Sequence, residues 1–331
     1  MSDQVARVLV VSTAVDEATD AVVAELGARG ASVCRLNTEE FPFADGLALS
    51  VDQAGPAARL RFGESTERIT SCTSCWYRRV RIPARPVGMD VGIYDFSIRE
   101  ARAALLGLIL SLPAPTMNDP ARTWVAEVKP RQLAGALRCG LQIPPTLITN
   151  DPAEVRSAFS AWGGRMIAKP VRSGYVEQGG IGHAIFTNAV VAQDLEDDAA
   201  LRSAPVIYQP LLPKRCDLRV TVVGQKVFAA EIHSQEDPAA RIDWRRTADP
   251  HLPHERATLP PGLEGALLRL CADLGLRFAA IDLVHTVSDE YVFLEVNPGG
   301  QWLWIEDLLE YPITATIAEW LLHPSGLDGS P

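Results

Sequence analysis

The chain has 331 residues, a formal charge of −10 and 47% hydrophobic residues. That length exceeds one ordinary core and predicts two or three domains. The acidic excess excludes a general binder of nucleic acid or anionic membranes, since both need basic surface. No apolar run reaches the length of a membrane helix, and the N-terminus enters the strand Val8–Val11 without a signal-peptide pattern. Six cysteines (Cys34, Cys72, Cys75, Cys139, Cys216 and Cys271) are spread too thinly for a disulfide framework, so a cytoplasmic protein with reduced thiols is expected.

Residues 7–36 read as strand, helix and strand, the helix running over Asp16–Arg29 with Gly30 as its stop. This βαβ opening lacks a Gly-x-Gly-x-x-Gly turn and so does not call for a dinucleotide. Residues 47–82 read as short strands. Cys72-Thr-Ser-Cys75 has metal-ligand spacing, but no second cysteine pair or nearby histidine completes a site, so it reads as structural. Phe96–Leu112 has the repeat of a helix, and Pro113, Pro115 and Pro120 mark a boundary behind it.

A second helix is predicted over Arg122–Gly140, then one opened by Pro152 and capped by Asn150 or Asp151, within a compact α/β unit over 121–205. In that unit Met166-Ile-Ala-Lys169-Pro ends a short strand and leads through Arg172 into a glycine-rich stretch ending at Gly182, suited to close approach of backbone amides to phosphate. Lys169 has apolar neighbours, and burying a lone ammonium is costly without an anion, so Lys169 is assigned to phosphate with Lys129 as its partner. Tyr208-Gln-Pro-Leu-Leu-Pro then follows an apolar strand. Asp217–Val223 and Lys226–Ile232 form a hairpin around Gly224-Gln225.

Asp217 and Arg219 share one strand face, where the guanidinium could stabilise a transferring phosphoryl group or form a structural ion pair. Arg241, Arg245 and Arg246 flank Asp243-Trp244 and make a local basic patch suited to carboxylates. His183, His233, His251, His254, His285 and His323 show no metal or triad spacing.

The segment Ala280–Gln301 carries the most chemistry. It reads as a hairpin, and a turn centred between Ser288 and Asp289 sets Asp282 opposite Glu295, with Asn297 on the face of Glu295. Two facing acids repel unless a positive group lies between them, which suits a hard divalent cation holding nucleotide phosphates. A solvated edge hairpin is the alternative. The tail after Pro324 is expected to fray.

Taken in order, Lys129, Ala168-Lys169-Pro170, Tyr208–Pro213, Asp217-Leu-Arg219, Asp282 and Glu295-Val-Asn297-Pro resemble the ATP-grasp superfamily. Within it, Trp76-Tyr-Arg-Arg79, Asn118-Asp-Pro120, Gly140–Asn150, Ser234-Gln235, Asp243-Trp-Arg245 and Asn297–Trp302 are similar to the microviridin-type, or graspetide, peptide ligases, over about Val8 to His323. The resemblance implies an α/β (α+β) ATP-grasp fold: a Rossmann-like pre-ATP-grasp domain (1–120), a central lid domain (121–205), a C-terminal domain with the metal site (206–325) and a flexible tail (326–331).

It also implies ATP and Mg²⁺ as cofactors. Lys129 and Lys169 would contact phosphates, Gln209, Pro210 and Leu211 would line the adenine pocket, and Asp282, Glu295 and Asn297 would bind magnesium. Pro210 stands where relatives often carry an acid, which leaves adenine to backbone contacts. Arg219 would hold the γ-phosphate or acyl phosphate, with Lys169 beside it in catalysis, and Arg172, Asp217, Arg241, Arg245 and Arg246 would meet the substrate. The implied partner is a ribosomal precursor peptide with a leader and an acidic core, and a homodimer is left open. Two rivals share the fold: a carboxylate–amine ligase acting on amino acids or protein C-termini, and a non-catalytic nucleotide sensor.

Overall fold

The computed structural model describes residues 6–324 except 54, 70–71, 173, 179–180 and 248–251. The tail expected to fray after Pro324, Ser173, Gly179 and Gly180 of the glycine-rich stretch, and His251 lie outside the described residues.

The N-terminal part is built on a four-stranded parallel sheet in the order Ser32–Asn37, Arg7–Ser12, Ser74–Tyr77, Thr116–Met117. Val8 to Val11 are all fully buried because the sheet is covered on both faces, which is why this strand is an unbroken apolar run. Val8 and Val10 pack with Val22 and Leu26 of the helix Glu17–Ala28, while Leu9 and Val11 pack with Leu105 and Leu108 of the helix Val91–Ser111. A three-stranded antiparallel sheet, Gly46–Asp52, Gly55–Phe62 and Ser65–Arg68, extends the second core.

The long helix begins five residues earlier than its apolar repeat predicts. Asp90 caps it by accepting from the Gly92 and Ile93 amides at 2.8 and 3.2 Å, and its first turn exposes Val91 and Ile93, so no amphipathic stripe marks that turn. The single helix expected over Arg122–Gly140 is two, Pro120–Ala126 and Lys129–Arg138. Pro130 causes the break: it has no amide hydrogen to donate within a continuous helix, yet is well placed in a first turn. Lys129 therefore opens a helix.

These two helices pack on the C-terminal sheet and not on the central core. Ala126, Leu133 and Ala136 pack with Leu267, Leu270 and Leu274 of the helix Pro261–Leu274 on the C-terminal sheet, because the buried side of Lys129–Arg138 matches that surface. The central core is smaller, with Val155, Met166, Val190, Leu195 and Tyr208 around an antiparallel sheet ordered Asn188–Val190, Met166–Pro170, Val206–Pro210, Leu147–Thr149. The hairpin Tyr175–Gln178 and Ile181–Ala184 projects from it.

The C-terminal part is a five-stranded antiparallel sheet ordered His254–Ala257, Lys226–Ile232, Lys214–Val223, Phe278–Thr286, Tyr291–Asn297. Side-chain alternation sends Leu218, Val220 and Val222 into the helix-covered core and Asp217, Arg219 and Thr221 to the other face. At one end that second face is closed by Trp302, Ile305 and the helix Ile313–Leu322, which also pack on Val8, Val10 and Trp76 of the parallel sheet. Over the rest it faces a cavity.

Candidate active site

The cavity has a volume of about 470 Å³ and lies between the open face of the C-terminal sheet, the start of the helix Lys129–Arg138 and the end of the strand Met166–Pro170. Asp282, Glu295 and Asn297 line one side, and Lys129, Lys169 and Arg172 another. Asp217, Asp243 and Arg245 complete it.

Asp282 pairs with Glu295 and Ala280 with Asn297, so the expected juxtaposition is present, though by a different route. His285 pairs with Tyr291, Val284 with Val292 and Leu283 with Phe293, a register centred on Ser288 rather than between Ser288 and Asp289. Continued unchanged, it would set Asp282 against Leu294. A one-residue bulge between these pairs shifts the register and brings Glu295 opposite Asp282. A bulge of this kind re-aims side chains where a ladder would otherwise point them away.

Each acid has its own cation. Arg219 donates from Nη1 to both Asp282 oxygens at 3.0 Å, and Lys129 Nζ lies 2.9 Å from Glu295 Oε2 and 3.1 Å from the Pro170 carbonyl. Burial raises the Asp282 pKa, and although Arg219 opposes this, the nearby Glu295 charge adds to it. Burial also penalises the Glu295 carboxylate, but Lys129 and Lys169 more than offset it and hold its pKa below the usual range. The Lys169 side chain is buried, and desolvation lowers its pKa to about 8 even though Glu295 favours its charge. A buried ammonium this destabilised gains most from a polyanion.

Two carboxylates and one amide oxygen, all hard donors beside a cavity flanked by lysines, fit a divalent cation bound together with phosphates. Asn297 already accepts from the Gly299 amide at 3.0 Å through Oδ1, which fixes its orientation. Arg219 is held by Asp282 and by Gln301, whose carbonyl accepts from Nη2 at 3.2 Å, and its Nε is buried with no hydrogen-bond partner among the described residues. Arg219 thus stands behind Asp282 and does not itself line the cavity.

Other expected site residues are placed differently. Asp217 and Arg219 share a face, but Asp217 is bound by Lys214 Nζ at 2.6 Å and not by Arg219. Of Arg241, Arg245 and Arg246, only Arg245 lines the cavity, clasped by Asp243 through 2.8 and 2.6 Å hydrogen bonds. Arg246 bonds to Asn188 over the Phe186 ring and Arg241 to the Gln235 carbonyl at 3.3 Å, both away from the cavity lining.

Gln209, Pro210 and Leu211 do not line it either. Gln209 is buried, donates to Thr146 at 2.8 Å, and leaves Oε1 without a partner among the described residues. The Leu211 amide is spent on the Arg165 carbonyl at 2.9 Å, so that backbone donor is not free for adenine.

Several positioning residues carry little local signal. Gln132, buried on the helix behind Lys129, exchanges bonds with Val296: its Oε1 accepts from the Val296 amide at 3.0 Å and its Nε2 donates to the Val296 carbonyl at 2.7 Å. This locks Lys129 to the strand bearing Glu295. Asn118 accepts from the Arg277 and Phe278 amides at 2.7 and 2.9 Å and donates to the Phe278 and Pro298 carbonyls at 2.7 and 3.1 Å, joining both strands of the acidic hairpin. Arg78 is buried on Asp16 at 3.0 Å, donates to the Gly300 carbonyl at 3.1 Å and Gln301 Oε1 at 2.8 Å, and lies 4.4 Å from the centre of the Trp302 ring. The sequence shows Asn118 and Arg78 only as parts of motifs, and nothing local marks Gln132.

A family model described as the MvdD pre-ATP grasp domain matches residues 7–123. In structure the chain is similar to a RiPP-associated ATP-grasp ligase from Chryseobacterium gregarium, solved with ADP and a leader and core peptide, at 28% identity over 97% of each chain and a TM-score of 0.89. It is similar to the macrocyclase MdnC of Microcystis aeruginosa MRC, bound with precursor peptide MdnA, at 28% identity over 95% of this chain and 99% of that one, TM-score 0.84. The macrocyclase MdnB of the same organism is 31% identical over 96% of this chain and 99% of that one, TM-score 0.80. No curated protein matches the sequence. With that identity spanning nearly all of both chains, and with facing acids and paired lysines around one cavity, this chain belongs to the ATP-grasp family of peptide macrocyclases.

Proposed function

We propose that the protein uses ATP to activate Asp or Glu side-chain carboxylates of a ribosomal precursor peptide and joins them to Ser, Thr or Lys side chains of the same peptide, forming ω-ester or ω-amide rings. The observation that carries this reading is the convergence of Asp282, Glu295, Asn297, Lys129 and Lys169 on one cavity in a chain superposable on peptide macrocyclases. A carboxylate oxygen of the peptide attacks the γ-phosphorus of ATP, ADP leaves, and an acyl phosphate remains. The hydroxyl or amine then attacks the acyl carbon, loses its proton and expels inorganic phosphate. The peptide loses one water per ring, and no covalent bond to the protein is needed.

Each step gathers negative charge, and the residues are arranged to oppose it. Lys129 and Lys169 lie on the phosphate side, and Asp282, Glu295 and Asn297 would hold Mg²⁺, which when bound neutralises phosphate oxygens and the developing phosphoryl charge. Arg219, fixed by Asp282 and the Gln301 carbonyl, carries the cation next in line for the acyl phosphate. Arg245 and Arg172 line the cavity and are the arginines we assign to the peptide, with Asp217 beside them. The clasp of Arg245 by Asp243 makes it a rigid donor more than a free charge.

We divide the chain at about 120 and 205 into pre-ATP-grasp, central and C-terminal parts, with the helices Pro120–Ala126 and Lys129–Arg138 packed on the last. No helix among the described residues is long and apolar enough to cross a membrane, and all six cysteines are free thiols; the free thiols support a reducing, cytoplasmic setting. The reading is tested by incubating the protein with ATP, Mg²⁺ and a short Thr-, Ser-, Asp- and Glu-rich peptide encoded beside it. A mass lower by one water per ring, with one ADP formed for each, is expected. Unchanged peptide mass alongside ligation of free amino acids would overturn it.

A further inference from the structure

The face of the C-terminal sheet turned away from the cavity holds a second cluster that the ligase chemistry does not use. Cys216, Glu231 and His285, one from each of three adjacent strands, bring a thiol, a carboxylate and an imidazole together with their donor atoms within 4.8 Å of one another. Alternation places them with Leu218 and Leu283, opposite Asp217 and Arg219. Cys216 is buried, while Glu231 and His285 are half-buried and reachable from solvent.

His285 is already oriented. Its Nε2 lies 2.9 Å from Asp289 Oδ1, and its ring stacks on Tyr291 at 4.4 Å with 7° between the planes. A carboxylate that fixes a histidine ring is the usual support of a ligating imidazole. We propose that Cys216, Glu231 and His285 bind one zinc(II) ion, with water as the fourth ligand.

The donor set selects the metal. Thiolate and imidazole suit zinc and not magnesium, whereas the oxygen donors Asp282, Glu295 and Asn297 have the opposite preference, so two cations would be sorted to opposite faces of one sheet. A thiolate and a carboxylate balance a doubly charged ion, so the half-buried site carries no net excess. Zinc–ligand bonds of about 2.0–2.3 Å put tetrahedral donors roughly 3.3–3.8 Å apart, so side-chain rotations of about 1 Å close the present cluster onto a metal. Burial, with the nearby charges of Glu231 and Asp217, pushes the metal-free thiol pKa up to about 12, and binding transfers its proton to solvent as the Cys216 Sγ–zinc bond forms. The ligands lie 15 and 54 positions apart in sequence, which is why no spacing motif announces them.

The test is titration of the metal-stripped full chain with Co²⁺ as a spectroscopic probe and then with Zn²⁺. One equivalent of Co²⁺ with a thiolate-to-cobalt charge-transfer band, displaced by Zn²⁺, is expected, together with a rise in Tm. Cys216→Ser should abolish the band, His285→Gln and Glu231→Gln should each weaken binding at least tenfold, and Cys72→Ser should change neither. If Cys216→Ser does not fold, the other two variants decide the matter by the same tenfold criterion. Absence of the band, its persistence in folded Cys216→Ser, loss in Cys72→Ser, or undiminished affinity in both His285→Gln and Glu231→Gln would each overturn the proposal.

Discussion

At the scale of single residues, the site is a set of charges that are each partly offset and none at ease. Asp282→Asn and Glu295→Gln keep side-chain shape but remove charge where we place the cation, so each should lower ring formation by about a hundredfold or more, a loss of several kcal/mol of transition-state stabilisation. Circular dichroism should remain unchanged, and full turnover by both variants at saturating ATP and Mg²⁺ would refute the metal assignment. Lys169 supplies a pH prediction. Desolvation depresses its folded pKa to about 8, below the ordinary lysine value of 10.5, so between these values the folded protein holds fewer protons than the unfolded chain. Stability from this group therefore rises with pH across that window, while phosphate binding, which needs the ammonium, weakens. Nucleotide affinity measured from pH 7 to 9.5 should fall above about 8 in the native protein; in Lys169→Met it should be weaker at pH 7 and lose that slope. Equal slopes in the two proteins would remove Lys169 from the phosphate site.

At the scale of elements, one bulged hairpin and the loop behind it set the chemistry. A Cβ on Gly300 would lie 2.2 Å from Ala280 Cβ and 2.8 Å from Arg219 Nη2, so only glycine lets the loop carry the Gln301 carbonyl onto Arg219. Gly300→Ala should destabilise the protein by roughly 1–3 kcal/mol through overpacking, and should reduce kcat beyond that by displacing Arg219 from Asp282. Denaturant unfolding and single-turnover kinetics measure the two effects, and a variant with unaltered kcat would show that the Arg219 placement tolerates the shift. The pairing of Asp282 with Glu295 was readable from alternation and spacing in the sequence, yet the bulge that produces it was not: no glycine marks it, and a turn displaced by half a residue yields the same pair. The break before Lys129 was readable in principle from Pro130. Which sheet the following helix joins depends on matching two distant apolar surfaces, a property local pattern does not carry. The partner of Arg219 escaped for the same reason, since Asp282 comes from the neighbouring strand, whereas Asp217 takes Lys214, three residues back on its own strand, where the register is irregular between Lys214 and Cys216.

At the scale of the molecule, the N-terminal sheet is tied to the site by Arg78, which a buried ion pair with Asp16 holds in place, and not by packing alone. Arg78 and Asp16 have side chains only 2% exposed each, and Arg78 continues to the Gly299–Gln301 loop, so a residue of the first domain fixes the backbone next to Asn297. Arg78→Ala leaves a buried carboxylate unpaired and should cost about 3–5 kcal/mol. The double variant with Asp16→Asn should recover part of that stability without recovering activity, and recovery of both in parallel would reduce Arg78 to a structural role. The net charge of −10 bears on the substrate. Under the function proposed above, an acidic core peptide would not be drawn in from a distance, and at physiological salt a Debye length of about 8 Å confines the attraction of Arg245 and Arg172 to the cavity itself. On that proposal, capture would rest on a leader that raises the local concentration of core. Cutting the precursor between leader and core should raise the KM for core by about a hundredfold or more while kcat at saturation changes little, because the charge-stabilising residues are untouched. Added leader in trans should not restore the KM, since effective concentration is lost with the covalent link. Steady-state rates on linked, cut and leaderless substrates decide it: equal kcat/KM for all three would mean that the cavity recognises the core unaided.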